Sequence, residues 1–128
     1  PTHTGNPGNG LKRIINAGFY SAAGLKPAIK HERSFQQELI ASLLMVPTLI
    51  WFPVPIYLKW FIFFAHVLVL VTELLNSAVE AVVDMVSPEY HDLAKRAKDL
   101  GSAAVLLTLI LTTSLWLYVL ICTFVLAP

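Results

Sequence analysis

A stripe of acidic and amide side chains is the part of the sequence best suited to chemistry. At about 100° per residue these side chains fall on one helical face roughly 100° wide: Glu73, Asn76, Ser77, Glu80 and Asp84. The stripe directly follows the largely apolar run 67–72, and one charge at the centre of a bilayer costs about 2.5–3.5 kcal/mol. Carboxylates persist there when they face a helix bundle, a metal ion or water, so Glu73 indicates a functional site. Asp84 is equally well explained by a helix that enters solvent.

Separation along the helix predicts different roles for the two glutamates. Glu73 and Glu80 are seven residues apart, about 10 Å of rise, which is too far for both to bind one ion directly. Asn76 lies between them and could bridge. We therefore expect a deeper carboxylate at lipid depth and a shallower one near water. At the start of the next helix, Lys98 can neutralise phosphate charge and Ser102 can orient a polar headgroup.

The scaffold that must position these groups is predicted to be all-α and embedded in a membrane. Of its 128 residues, 56% are hydrophobic and 13% are charged, whereas soluble domains carry about 25% charged residues. The net charge of +1 indicates no nucleic-acid partner. The single cysteine excludes an internal disulfide and a cysteine-based zinc site. Neither a phosphate-binding loop nor a protein-kinase signature is present.

Apolar periodicity divides the chain into segments. Residues 1–10 are predicted to be a disordered tail without a cleaved signal peptide, and 11–128 a single membrane domain. Residues 11–29 predict an amphipathic helix suited to the membrane surface, which Pro27 should end or kink. The alternative is an ordinary amphipathic helix packed on protein. Three membrane spans are predicted at about 39–52, 56–86 and 99–126.

The basic residues predict an orientation. Of the nine Lys and Arg residues, only Lys59 lies on the side of the turn between the first two spans. The N-terminal side and the charged connection 87–98 are therefore expected to face the cytoplasm, with the C-terminus in the periplasm. His66 falls on the acidic stripe but deep in the second span, and we predict a neutral packing or hydrogen-bonded residue there.

Two blocks of sequence resemble the prokaryotic diacylglycerol kinase family. They are ELLNSAVEAVVD (73–84) and EYHDLAKRAKDLGSAAV (89–105), and the likeness extends from about Leu11 into the third span. The resemblance implies a homotrimer in the bacterial inner membrane, each subunit having a surface helix and three spans. It also implies transfer of the γ-phosphate of ATP to a membrane lipid hydroxyl with Mg²⁺. The prolines of the first turn and Ala22 depart from the best-known members, which puts details of lipid entry in doubt.

The same resemblance implies roles for individual residues. Glu73 is the general base at the lipid hydroxyl, and Glu32 and Glu80 are metal ligands. Positions matching nucleotide contacts are Arg13, Tyr20, Glu32, Asn76, Glu80, Glu89, Tyr90, His91, Lys98 and Asp99. Positions matching lipid contacts are Arg13, Glu73, Ser102 and Trp116. Without the resemblance, Arg13 is most simply a membrane-facing cation, Glu32 a solvated charge and His91 a loop residue.

Three other functions compete with a diacylglycerol kinase. An undecaprenol kinase has the same fold and chemistry with another acceptor, although the runs 75–77 and 101–104 favour diacylglycerol. A small ion-coupled transporter could use Glu73 as a proton site, but it leaves the acidic stripe and the cluster at Lys98 and Asp99 without a role. A structural membrane subunit predicts no ATP turnover.

Overall fold

Four α-helices make up the computed structural model, which describes residues 9–126. They are α1 (Gly10–His31), α2 (Arg33–Thr48), α3 (Ile56–Val86) and α4 (Asp92–Phe124), with a 3-10 turn at Leu49–Trp51. No strand occurs between Asn9 and Leu126, so the prediction of an all-α fold is confirmed. The predicted disordered tail lies outside the described residues except for Asn9 and Gly10, and Gly10 already begins α1. The chain forms two units, the first ending at Glu32 and the second beginning at Arg33.

The first unit is the amphipathic helix α1. Its large apolar residues are exposed, among them Leu11, Ile14 and Phe19. Pro27 was expected to end or kink this helix, and it does not end it, because α1 continues through Pro27 to His31. An interior proline removes one backbone N–H and crowds the carbonyl four residues earlier, yet helical hydrogen bonding extends to the helix end, where the Glu32 amide donates to the Ala28 carbonyl at 3.1 Å.

In the second unit, α3 packs along α4, and α2 packs against α3. An apolar cluster fills the end of this unit near the turn 49–55, and its buried members are Leu49, Leu58, Ile62, Trp116 and Val119. Phe52 packs edge-on against Trp116 with ring centroids 5.9 Å apart. The Lys59 ammonium donates to the Ile50 carbonyl at 3.2 Å, which satisfies one backbone acceptor where α2 gives way to the turn.

The long helices α3 and α4 are each long and apolar enough to cross a membrane. Only 33% and 28% of their most apolar stretches are buried inside the chain. With 16 residues, α2 is shorter than these two helices. The helix α4 begins at Asp92, so the charged connection predicted at 87–98 is helical from Asp92 onward. The His91 ring explains this early start, because its Nδ1 accepts a hydrogen bond from the Leu93 amide at 3.1 Å and caps the helix.

Candidate active site

One face of α3 carries the acidic stripe from the buried interior to solvent. The buried residues of this helix recur at helical spacing: Leu58, Ile62, Ala65, His66, Val69 and Glu73. Glu73 is the last of them and is only 5% exposed. Glu80, two turns further along, is exposed. The helix therefore holds one carboxylate inside the protein and presents another to water, about 10 Å of helical rise apart.

Asn76 lies on α3 between the buried Glu73 and the exposed Glu80. Its amide nitrogen donates to Glu80 Oε1 at 3.3 Å, and its amide oxygen is buried against Gly101 of α4. A side chain at position 101 would overlap that oxygen. In the sequence, Gly101 stood out only as part of the family-like run 101–104, and this role was missed. A glycine inside a 33-residue helix was the available signal, since glycine is unfavourable there unless another backbone or side chain comes close.

A cavity of about 370 Å³ lies where α3, the connecting loop and α4 meet. Five residues predicted to contact a nucleotide line it: Glu89, Tyr90, His91, Lys98 and Asp99. They come from the loop and from the first two turns of α4, which the His91 cap holds in helical form. The end of α3 contributes Asp84. The structure thus brings together residues that the sequence places in two separate segments.

Ion pairs occupy the charged groups of this cavity. The Lys98 ammonium is 2.6 Å from Asp84 Oδ1, and the Lys95 ammonium is 2.6 Å from Asp99 Oδ2. Lys98 therefore pairs with α3 rather than with its neighbour Asp99, and Asp84 is a solvated charge with one ion-pair partner. All four side chains are substantially exposed, and exposed pairs contribute about 0–1 kcal/mol. An entering anion can therefore replace Asp84 beside Lys98 at small cost.

The remaining candidates fall at several places. Arg13 and Tyr20 lie on α1, two turns apart, and Glu32 is the residue that ends this helix. Ser102 is exposed on α4, next to Gly101.

Trp116 is 8% exposed within the apolar cluster, and its indole N–H donates to His66, so that N–H is already used inside the protein. The prediction that His66 is a hydrogen-bonded residue is confirmed.

Comparison with known proteins decides the family. The family model for prokaryotic diacylglycerol kinase matches residues 19–120, which include the acidic stripe and the cavity. The chain belongs to this family. The resemblance drawn from the two sequence blocks is therefore confirmed.

Individual members of the family cover most of the chain. A diacylglycerol kinase of Escherichia coli (strain K12) is 44% identical over 111 residues, which are 87% of this chain and 91% of the relative. One of Pseudomonas aeruginosa is 41% identical over 112 residues, 88% and 91% of the two chains. One of Helicobacter pylori is 41% identical over 108 residues, 84% of each chain.

Proposed function

We propose that this chain is a membrane kinase that transfers the γ-phosphate of ATP to the free hydroxyl of diacylglycerol, giving phosphatidate and ADP. One observation carries the proposal. A buried carboxylate, Glu73, and a cavity lined by Lys98 lie along the same pair of helices, which are apolar enough to meet lipid. We infer diacylglycerol as the phosphate acceptor because the relatives are named diacylglycerol kinase.

The residues match the demands of phosphoryl transfer, which depends on positioning and charge neutralisation more than on a covalent nucleophile. The triphosphate exchanges with Asp84 at Lys98, and the loop residues Glu89, Tyr90 and His91 surround the nucleotide. Glu73 accepts the proton of the lipid hydroxyl as the new oxygen–phosphorus bond forms. The bond between the γ-phosphorus and the β–γ bridging oxygen breaks, and ADP leaves. The hydroxyl must stand within about 3 Å of the Glu73 carboxylate for this step.

The carboxylates proposed to lie beside the nucleotide are suited to Mg²⁺. Among residues 9–126, no group of three or more His, Cys, Asp or Glu side chains is placed to hold a metal by itself. Mg²⁺ is commonly bound by one or two carboxylates together with substrate phosphates and water. The exposed Glu80, oriented by Asn76, supplies such a carboxylate, and family resemblance adds Glu32. The ion would neutralise phosphate charge beside the nucleotide.

Location and assembly extend the proposal. We place α3 and α4 across the bacterial inner membrane, with α2 and the turn after it as the third span and α1 on the cytoplasmic surface. The exposed apolar side chains of α3 and α4 support contact with lipid or with other copies, and family resemblance supports a homotrimer as the proposed assembly. On the same basis Arg13 and Tyr20 contact the nucleotide, and Arg13, Ser102 and Trp116 the lipid.

The decisive experiment measures transfer of labelled γ-phosphate from ATP to defined lipids in mixed micelles, with and without Mg²⁺. We expect Mg²⁺-dependent labelling of diacylglycerol. Preferential labelling of undecaprenol would instead assign the polyprenol as acceptor. No labelling of either lipid, together with proton flux in liposomes lacking ATP, would identify an ion-coupled transporter.

A further inference from the structure

Three buried polar side chains from three helices form a hydrogen-bonded triad that the proposed reaction does not use. Trp116 Nε1 of α4 lies 2.9 Å from His66 Nε2 of α3, and Ser42 Oγ of α2 lies 3.0 Å from His66 Nδ1. The exposed fractions are 4% for His66, 8% for Ser42 and 8% for Trp116. We call this set the Ser42–His66–Trp116 triad.

The chemistry of the partners fixes the protonation state of the ring. An indole N–H can only donate a hydrogen bond, so His66 Nε2 must accept and must carry no proton. A neutral imidazole then carries its proton on Nδ1, and that N–H donates to Ser42 Oγ. Both ring nitrogens are satisfied in this one tautomer, as buried polar groups require.

Protonation destroys this arrangement. A proton on Nε2 would set two donors, the indole N–H and the imidazolium N–H, against each other. The two hydrogen-bond partners of the ring, Ser42 from α2 and Trp116 from α4, cannot carry the opposite charge that an imidazolium would need. The nearest carboxyls along these helices are Glu38, one turn from Ser42, and Glu73, about two turns from His66. A buried cation without a partner is strongly unfavourable.

We infer that His66 is a proton-sensitive clamp: its neutral ring joins α2 to α3 and positions Trp116, and protonation of the ring releases both. The clamp lies on the same face of α3 as Glu73, about 10 Å of rise away. It thereby links the packing of α2 and α4 to the helix that carries the buried carboxylate. This inference does not depend on which lipid the protein phosphorylates.

Nitrogen-15 NMR of the solubilised protein with labelled histidine tests the tautomer directly. At about pH 7.5 we expect the His66 signals of an Nδ1–H ring with an unprotonated Nε2. A ring protonated at Nε2, alone or at both nitrogens, would overturn the inference. The variant Ser42→Ala removes one acceptor only, so the tautomer should persist while the Nδ1 signal shifts. An unchanged Nδ1 signal in that variant would also contradict the triad.

The pH dependence of unfolding tests the clamp. A native state that excludes one proton loses stability as pH falls below about 6.5, where a free histidine takes up the proton. The ratio of folded to unfolded wild-type protein should therefore fall more steeply with acid than that of His66→Phe, by up to about tenfold per pH unit. The control His31→Gln, on α1, should keep the wild-type slope.

Equal slopes for wild type and His66→Phe would overturn the clamp. Where His66→Phe does not fold, Ser42→Ala provides the second variant. Removing the Nδ1–H acceptor weakens the neutral triad, so the unfolding midpoint of Ser42→Ala should lie below that of wild type at about pH 8. The two midpoints should converge at an acid pH where the native ring has taken up a proton. An equal loss at both pH values would contradict a proton-sensitive role.

Discussion

Glu73 is the residue on which the proposed chemistry depends most. A carboxylate that is 5% exposed has little access to bulk water, so a role in proton transfer requires the substrate hydroxyl to reach it within the protein. Replacing the carboxylate by an amide of the same shape removes the base and leaves the packing of α3 intact.

We expect Glu73→Gln to lower lipid phosphorylation by about 10²–10⁴-fold, the usual contribution of a general base. The measurement is labelled-phosphate transfer to diacylglycerol, with unfolding of the solubilised protein as a check on structure. The matched control is Asp92→Asn, an exposed carboxylate at the start of α4. Near wild-type turnover in Glu73→Gln would remove this residue from the base role.

Lys98 is the cation that the cavity offers to a triphosphate. A hydrogen bond to a charged group contributes about 1.5–3 kcal/mol, which corresponds to roughly 10–100-fold in affinity. We expect Lys98→Met to raise the KM for ATP by this factor and to change the KM for diacylglycerol little. Arg96→Met removes one positive charge from the same helix outside the cavity lining and should leave both values near wild type. An equal rise in the KM for ATP in both variants would mean that the loss of any positive charge on α4 weakens ATP binding, rather than the loss of Lys98 in particular.

Single-residue chemistry was partly predictable from the sequence. A carboxylate directly after an apolar run is costly beside lipid, so Glu73 could be selected without any structure. The ion-pair partner of Lys98 could not be predicted from the sequence, because Asp84 and Lys98 are 14 positions apart and only the packing of α3 on α4 brings them together. Ser42 was missed for the same reason, since a lone serine in an apolar helix gives no sign of its partner.

At the scale of helices, the contact between α3 and α4 depends on a residue without a side chain. Gly101 leaves space for the Asn76 amide, which in turn contacts Glu80. An added methyl group must displace that amide or separate the helices, and overpacking of this kind typically costs about 1–3 kcal/mol. The preference of helices for alanine over glycine offsets about 1 kcal/mol of that cost.

We therefore expect Gly101→Ala to destabilise the protein and to lower its kinase activity. The readouts are the unfolding midpoint of the solubilised protein and ATP-dependent lipid phosphorylation. Gly24→Ala is the matched control, because a methyl group on α1 at Gly24 meets nothing within 4 Å, and alanine is favoured over glycine in helices by about 1 kcal/mol. If both variants lose stability equally, steric overlap with Asn76 is not the cause.

The observed ends of the helices differ from those expected from proline positions and charged residues. Pro27 was expected to end or kink α1, yet the helix continues past it to His31. The start of α4 also differed from expectation, since the charges of 92–98 suggested a loop while the His91 cap favours a helix. Hydrophobic periodicity located the long helices well, whereas their ends depended on capping contacts that periodicity does not contain.

At the scale of the whole molecule, the proposal requires that α3 cross the membrane. Its two ends are marked by turns with exposed prolines, Pro53 before the helix and Pro88 after it. The excess of Lys and Arg predicts that Pro88 faces the cytoplasm and Pro53 the opposite side. These two prolines therefore form a matched pair of reporter positions.

The chain has a single cysteine, so Cys122→Ser gives a background without thiols. In that background we expect Pro53→Cys to react with a membrane-impermeant thiol reagent added to spheroplasts. Pro88→Cys should react only after the membrane is opened. The reverse pattern would invert the orientation and move the ATP cavity away from the cytosol, where ATP is available. Reaction of both positions from one side would mean that α3 does not span the bilayer, and the meeting of lipid and nucleotide along this helix would need another explanation.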